Sequence, residues 1–191
     1  IKHRVTKEEV VESFRQYLGE KHVELLRSIK PKKLSLFSEM LPEIEKTAYL
    51  VKGNETILKQ FKAYFIARCV KERYEYATFM LKDYVEGLAE KNDNELFVAG
   101  SEKELLFLYL HGSVSGTGNT DNWLFSITID RMVNRKRKGL ITVLLSEKNI
   151  PLIEDSKEVR VIDLGGAQMA QTVGEVAKKL EGSKKGSSKY D

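Results

Sequence analysis

The chain has few of the residues that build disulfides, zinc centres or membrane spans. It contains one cysteine, Cys69, so no disulfide can form within it. Its three histidines, His3, His22 and His111, are far apart and lack metal-ligand spacing, which argues against a zinc centre. No apolar run approaches the roughly 20 residues that a membrane helix needs. We therefore expect a cytoplasmic protein that works in a reducing compartment and does not enter membranes.

The overall composition is that of a globular protein, and its charge is unevenly placed. Hydrophobic residues make up 41% and charged residues 31%, which excludes a disordered or fibrous chain. The net charge is only +4, but the segment "RMVNRKRK" at 131–138 contains basic residues and no acid. Such clusters attract polyanions. The nucleic-acid-binding residues predicted from it are Arg131, Arg135, Lys136, Arg137 and Lys138.

The first half of the chain has helical periodicity. Apolar residues recur at helical intervals over 7–29, a shorter helix is expected near 34–50, and a long stripe runs from about 55 to 91. The stripe consists of Leu58, Phe61, Phe65, Cys69, Tyr76, Met80, Tyr84 and Leu88. It is typical of a helix that packs against a core. We therefore predict an all-helical module over 1–95, with Cys69 as a core residue.

The second half has the pattern of a small α/β module. Three short apolar runs are bounded by Gly, Ser, Asn or charged residues, as buried strands are. They are "LLFLYL" (105–110), "LITVLL" (140–145) and "VRVID" (159–163). A segment of helix length ending at Gly139 separates the first two runs, and this order predicts parallel strands. We predict a three-stranded parallel module over 96–182, with a last helix at 168–181, and a disordered basic tail over 183–191.

The glycine-rich segment "SVSGTGNT" at 113–120 resembles a phosphate loop. It follows an apolar run and precedes a predicted helix, and it is similar to the loop of P-loop NTPases of the AAA+ helicase-loader and transposition-ATPase group. "VRVIDLGG" resembles the Walker B strand, which implies that Asp163 acts on the magnesium side of the site. The resemblance covers 105–166 and implies ATP and Mg²⁺ as cofactors. Its nucleotide-binding residues would be Gly116, Gly118, Asn119 and Thr120.

The chain departs from the family pattern at two positions within this segment and at two outside it. Ser113 stands where the family has its first glycine, and Asn119 replaces the lysine. Asn119 offers a neutral hydrogen bond where the lysine offers a charge-assisted bond and stabilises the transition state of phosphoryl transfer. Asp121 adds negative charge near the phosphates, and Leu164 occupies the place of a second carboxylate. We therefore expect weak ATP hydrolysis or none.

Two alternatives remain at this point. The same segment resembles the Gly-Ser motif of polymerase-beta-like nucleotidyltransferases through Gly112, Ser113 and Asp121, but Trp123 stands where that motif needs a second metal-binding acid. In that case "NWLFSITIDRMV" at 122–133 would be a strand, whereas the basic residues that follow it and Gly139 favour a helix. The other alternative is an interaction or assembly protein in which the glycine segment is a turn that binds nothing.

The favoured hypothesis is therefore a binding protein. We expect it to bind nucleic acid, DNA or RNA, and a replication or recombination partner, with homo-oligomerisation left open. We expect Trp123 to be buried against the helical module and His111 to serve packing or hydrogen bonding.

Overall fold

The computed structural model describes Thr6, Glu8 and residues 20–69, 72–91, 93–111 and 118–165. Within these ranges the centre of the fold is a parallel sheet of five strands in the order β2-β3-β4-β1-β5. The strands are β1 (Ala48–Lys52), β2 (Tyr76–Met80), β3 (Leu105–Leu110), β4 (Ile141–Ser146) and β5 (Val159–Asp163). The predicted α/β class with a parallel sheet is confirmed, and the sheet has five strands where three were expected.

Helices cover both faces of the sheet. They are α1 (Glu20–Arg27), α2 (Pro31–Met40), α3 (Glu55–Cys69), α4 (Leu81–Ala89), α5 (Glu95–Ser101), α6 (Gly118–Arg137) and α7 (Pro151–Glu154). On one face α1, α2 and α3 pack around an aromatic core that includes Phe37, Phe61 and Phe65. On the other face α4, α6 and α7 pack against the sheet. In the described ranges, none of the helices has both the length and the apolar character of a membrane span.

The inner strand β1, which lies between β4 and β5, shows why the sheet needs a layer of helices on each face. All five of its residues are buried. Tyr49 and Val51 contact the core below α3, whereas Ala48 and Leu50 contact the core on the opposite face. Alternate side chains of a strand point to opposite faces, so a strand covered on both faces is apolar throughout.

The structure differs from the all-helical prediction for 1–95 at two places, because β1 and β2 lie within that segment. The apolar run at 48–51 is followed by Gly53-Asn54, and the helix predicted near 34–50 overlaps this run, which forms β1. At 76–80, β2 ends at Met80 and α4 begins at Leu81 with no residue between them, so the apolar spacing continues without a break. The boundary predicted at residue 95 falls between β2 and β3, strands of one sheet.

The predictions for 105–163 agree closely with the structure. β3, β4 and β5 match the three predicted strands within one residue at each end, and β3 and β4 pair in parallel. Helix α6 includes all of 123–133, which removes the strand that the nucleotidyltransferase alternative required. The predicted helix at 168–181 and the tail at 183–191 lie outside the described residues.

Candidate functional site at the carboxyl edge of the sheet

The carboxyl edge of the sheet contains a point where the connections of the chain diverge. From β1 the chain passes through α3 to β2 at one end of the sheet, whereas from β4 it passes through α7, on the opposite face, to β5 at the other end. β1 and β4 are neighbours. Open parallel sheets bind their ligands in the crevice outside the carboxyl ends of such a pair of strands. The residues that follow Lys52 and Ser146 therefore form the first candidate site.

Lys52, the last residue of β1, is held at this point by side chains from distant parts of the chain. It is 7% exposed. Its ammonium donates hydrogen bonds to Asn149 Oδ1 at 3.0 Å and to Glu154 Oε1 at 2.6 Å, and it lies 3.8 Å from Asp163 Oδ2. The second oxygen of Glu154 accepts a hydrogen bond from the Ile150 N–H at 2.7 Å. The cation at the divergence point is thus neutralised by the chain's own carboxylates.

The connection from β1 to α3 is too short to be a phosphate loop, because it consists of Gly53 and Asn54 alone. The side chain of Asn54 caps α3 by accepting a hydrogen bond from the Ile57 N–H at 2.9 Å. A Cβ atom on Gly53 would lie 2.6 Å from a methyl carbon of Ile57. The first turn of α3 also carries the acidic side chain of Glu55. A phosphate-binding motif spans roughly eight residues and leaves the helix N-terminus open to an anion, and neither condition is met here.

A second polar group lies one strand away, where β3 and β4 end. The Tyr109 hydroxyl donates a hydrogen bond to Glu147, and His111 Nε2 lies 4.0 Å from the same carboxylate oxygen. Burial, with a smaller contribution from Glu147, raises the pKa of Tyr109. His111 contacts the Tyr109 ring, as its predicted packing role requires. Glu147 is 8% exposed, so a buried acid lies beside His111.

In the sequence, the predicted phosphate loop follows β3 and runs into α6. Gly116 lies outside the described residues. Gly118, Asn119 and Thr120 form the first turn of α6, and the side chains of Asn119 and Thr120 lie outside the described part of the chain. Asp163 ends β5, and β4 and β1 separate β5 from β3. At about 4.8 Å per strand, the ends of β3 and β5 are roughly 14 Å apart. The described residues contain no group of three or more His, Cys, Asp or Glu that could hold a metal ion.

The predicted basic residues lie at the other edge of the sheet. Helix α6 follows β3 and returns to the start of β4, so its last turn is near the amino ends of these strands. Its 20 residues correspond to about 30 Å of helix. The glycine segment and the basic segment are therefore at opposite ends of α6 and do not form one site.

Arg135 requires a correction, because its side chain is structural. It is 2% exposed. Its guanidinium donates hydrogen bonds to Thr142 Oγ1 at 2.8 Å and to the carbonyl oxygens of Ser101, Lys103 and Ile141. With its donors directed into the protein, Arg135 is not available to a nucleic acid. It joins α6 to the segments before β3 and β4.

The other predicted cations retain contact with solvent. Arg137 and Lys138 are exposed at the end of α6, and Arg131 is half-buried. Lys136 pairs with Glu158 at 3.0 Å, but surface pairs of this kind are weak and open easily. The accessible basic surface of α6 is thus Arg131, Lys136, Arg137 and Lys138, and we call it the α6 basic surface.

Two further predictions concern buried and exposed side chains. Cys69 is 2% exposed, which confirms its core position, and burial raises its thiol pKa to about 12. Trp123 is 48% exposed, so the prediction that it is buried is wrong. Its neighbours Leu124 and Phe125 face the core, and Trp123 lies on the outer side of the same helix.

Sequence reasoning missed the group around Lys52. Asn149 and Glu154 lie 97 and 102 residues further along the chain. The available signal was local: a lysine that ends an apolar run and precedes Gly53-Asn54 and a helix. The group is assembled only when β1 enters the sheet between β4 and β5.

No family model matches the sequence. No curated protein matches it either. Among solved structures, a DNA replication initiation factor is similar over 85% of this chain and 55% of its own, with 13% identity and a TM-score of 0.47. The replication initiator DnaA bound to AMPPCP and single-stranded DNA is similar over 79% of this chain and 56% of its own, with 14% identity and a TM-score of 0.40. The chain thus spans little more than half the length of either protein, and at TM-scores below 0.5 these likenesses decide nothing about its residues.

Proposed function

We propose that this protein acts by binding nucleic acid and a protein partner in replication or recombination, without hydrolysing nucleotide. The α6 basic surface is the proposed nucleic-acid contact. The glycine segment, with Gly116, Gly118, Asn119 and Thr120, is at most a residual anion site, and Asp163 has no proposed role in holding Mg²⁺ for catalysis.

The case against hydrolysis rests on Lys52 and on the connection that follows it. A phosphate group at the divergence point would have to displace Glu154 from Lys52 and Asn54 from the start of α3. The glycine segment offers no lysine, because Asn119 occupies that position. Phosphoryl transfer needs cations on the transferring group, and these positions do not supply one.

The observation that supports the proposed binding function is the run of three successive cations at the carboxyl-terminal end of α6. Lys136, Arg137 and Lys138 follow one another where the helix ends, and Arg131 lies on the preceding turns. Side chains of this type bind phosphates by releasing counterions, without a need for a preformed pocket. The carboxylate of Glu158 contacts this run, where it forms a salt bridge with Lys136. A polyanion can therefore approach this end of the molecule.

The test is a charge reversal with a matched control. The double variant Lys136→Glu and Arg137→Glu changes two α6 cations, whereas Lys32→Glu and Lys33→Glu changes two exposed cations of α2 by the same net charge. We expect the first variant to weaken binding of labelled DNA or RNA at low salt by about tenfold or more, and to reduce the salt dependence of binding. The second variant should stay close to the wild type. Equal affinities of both variants would overturn the proposal.

A further inference from the structure

A cleft of about 600 Å³ lies between α4, α5 and the last turns of α6, at the amino edge of the sheet. This volume is within the range of about 300 to 1,000 Å³ that is usual for ligand sites. The apolar part of its lining is formed by Leu88, Phe97, Val98 and Leu140. The charged part is formed by Lys91, Arg131, Arg135 and Lys138, with Asp93 and Glu102. Cations outnumber carboxylates, so the cleft combines an apolar floor with a net positive charge.

Arg135 gives the cleft a permanent positive charge. Its hydrogen-bond partners in the described part of the chain are neutral oxygens, three carbonyls and the Thr142 hydroxyl. Burial lowers the pKa of Arg135, yet an arginine keeps its proton in proteins. A buried charge is normally compensated by an opposite charge. Glu104 is the carboxylate near enough to act on Arg135, and it does not line the cleft, so the charge of Arg135 adds to the positive potential there.

Lys91 lines the cleft and has an unfavourable backbone conformation. Its φ is 51°, in the left-handed region, and in the described ranges only one other non-glycine residue, Arg73, has a positive φ. Lys91 follows the end of α4, a position that glycine usually occupies. Its N–H donates a hydrogen bond to the Leu88 carbonyl at 3.2 Å. The chain thus retains a cation where glycine would be the easier choice.

The wall behind the cleft contains a buried hydroxyl without a hydrogen bond. The ring of Tyr84 lies 5.9 Å from that of Phe97, and its hydroxyl has no partner in the described part of the protein. Burial raises the pKa of Tyr84, while Arg131 and Arg135 are close enough to lower it by a smaller amount. Tyr84 packs behind Phe97 and does not itself line the cleft, so it supports the wall and is not a contact for a ligand.

We propose that this cleft binds a partner protein through a peptide segment in which a carboxylate stands next to an apolar side chain. The carboxylate meets Lys91 together with Arg131 and Lys138, two residues that the cleft shares with the α6 basic surface. The apolar side chain lies on the floor. The inference extends the proposed function by naming the chemistry of the protein partner.

The composition of the cleft favours a peptide over a nucleic-acid strand. Its floor is mostly aliphatic, and its one aromatic side chain, Phe97, is partly buried and packs edge-on against Phe79 at 5.5 Å. Base stacking uses open aromatic faces. Asp93 and Glu102 would repel a row of phosphates, whereas both can accept hydrogen bonds from peptide N–H groups.

The test measures the anisotropy of a labelled short acidic peptide that carries one leucine and one phenylalanine. Val98→Trp fills the cleft from α5, and Leu96→Trp is its control, because Leu96 is 83% exposed on the same helix and does not line the cleft. Lys91→Glu removes a rim cation, and Lys82→Glu, exposed on α4, is its control. We expect both cleft variants to weaken binding by about tenfold or more and both controls to stay near the wild type.

Thermal melts establish that each variant is folded, and Lys138→Glu provides a third cleft variant with little effect on packing. Peptide binding that is absent in the wild type, or unchanged in the cleft variants, would overturn the inference. So would equal binding of a peptide with serine in place of both apolar residues, or a loss of oligonucleotide binding in Val98→Trp without loss of peptide binding. Lys136 and Arg137 do not line the cleft, so their reversal tests nucleic-acid binding separately.

Discussion

Glu154 Oε1 lies 2.6 Å from Lys52 Nζ, at the point of the sheet where β1 and β4 lead to opposite faces. Parallel sheets normally keep this crevice for a ligand. In this protein a carboxylate of α7 occupies it and neutralises the cation that a phosphate would need. The ion pair between Lys52 and Glu154 therefore has a structural role.

Removing Glu154 should destabilise the protein, because it leaves a nearly buried ammonium with weaker partners and the Ile150 N–H without its acceptor. We expect Glu154→Ala to lower the free energy of unfolding by about 2 kcal/mol or more, measured by urea denaturation. The control is Asp163→Asn, since Asp163 is 3.8 Å from Lys52 and 59% exposed, and its loss should cost less than about 1 kcal/mol. Equal losses of unfolding free energy in the two variants would show that the Lys52–Glu154 pair contributes no more than the Lys52–Asp163 pair.

Arg135 and Arg137 should behave differently although both belong to one basic run. Arg135→Met removes four hydrogen bonds and leaves buried carbonyls unpaired, so we expect a loss of about 3 kcal/mol in the free energy of unfolding. Arg137→Met changes an exposed side chain and should stay within about 0.5 kcal/mol of the wild type. Thermal or urea unfolding of both variants decides the matter. A stable Arg135→Met protein would contradict the structural role of this side chain.

Cys69 should make the protein lose stability at alkaline pH. Burial raises its thiol pKa from 9.0 to about 12, so above pH 9 the unfolded chain releases a proton that the folded protein keeps. The contribution of the thiol is complete below about pH 9 and falls as the pH rises toward 12, by at most about 1.4 kcal/mol per pH unit. Urea unfolding between about pH 8 and 11 should show a steeper decline for the wild type than for Cys69→Ala. Because the buried tyrosines are common to both proteins, parallel declines would refute the assignment.

The later part of the fold was readable from the sequence, since β3, β4 and β5 are apolar runs with clear ends. The earlier strands were not. β2 passes into α4 without a loop, and the five residues of β1 adjoin a segment with helical spacing. A strand's partners are set by the whole sheet, and no local pattern shows that β1 lies between β4 and β5.

The candidate site was less predictable than the fold, because Lys52 meets Asn149 and Glu154 only after the sheet has formed. Arg135 is a different case. Phe125, Thr128, Met132 and Arg135 are buried and recur every three or four residues, so the helical period had already put Arg135 on the inner face. The run "NRKRK" contains both the buried Arg135 and the exposed Arg137, and its charge alone does not distinguish them.

The central claim is that this fold binds without hydrolysing nucleotide, and phosphate release from ATP with Mg²⁺ tests it most directly. The purified chain is assayed alone and with single-stranded and duplex DNA, beside a Lys52→Ala variant. We predict no phosphate release above the protein-free blank in any of these samples. Steady turnover by the wild type that Lys52→Ala abolishes would contradict it.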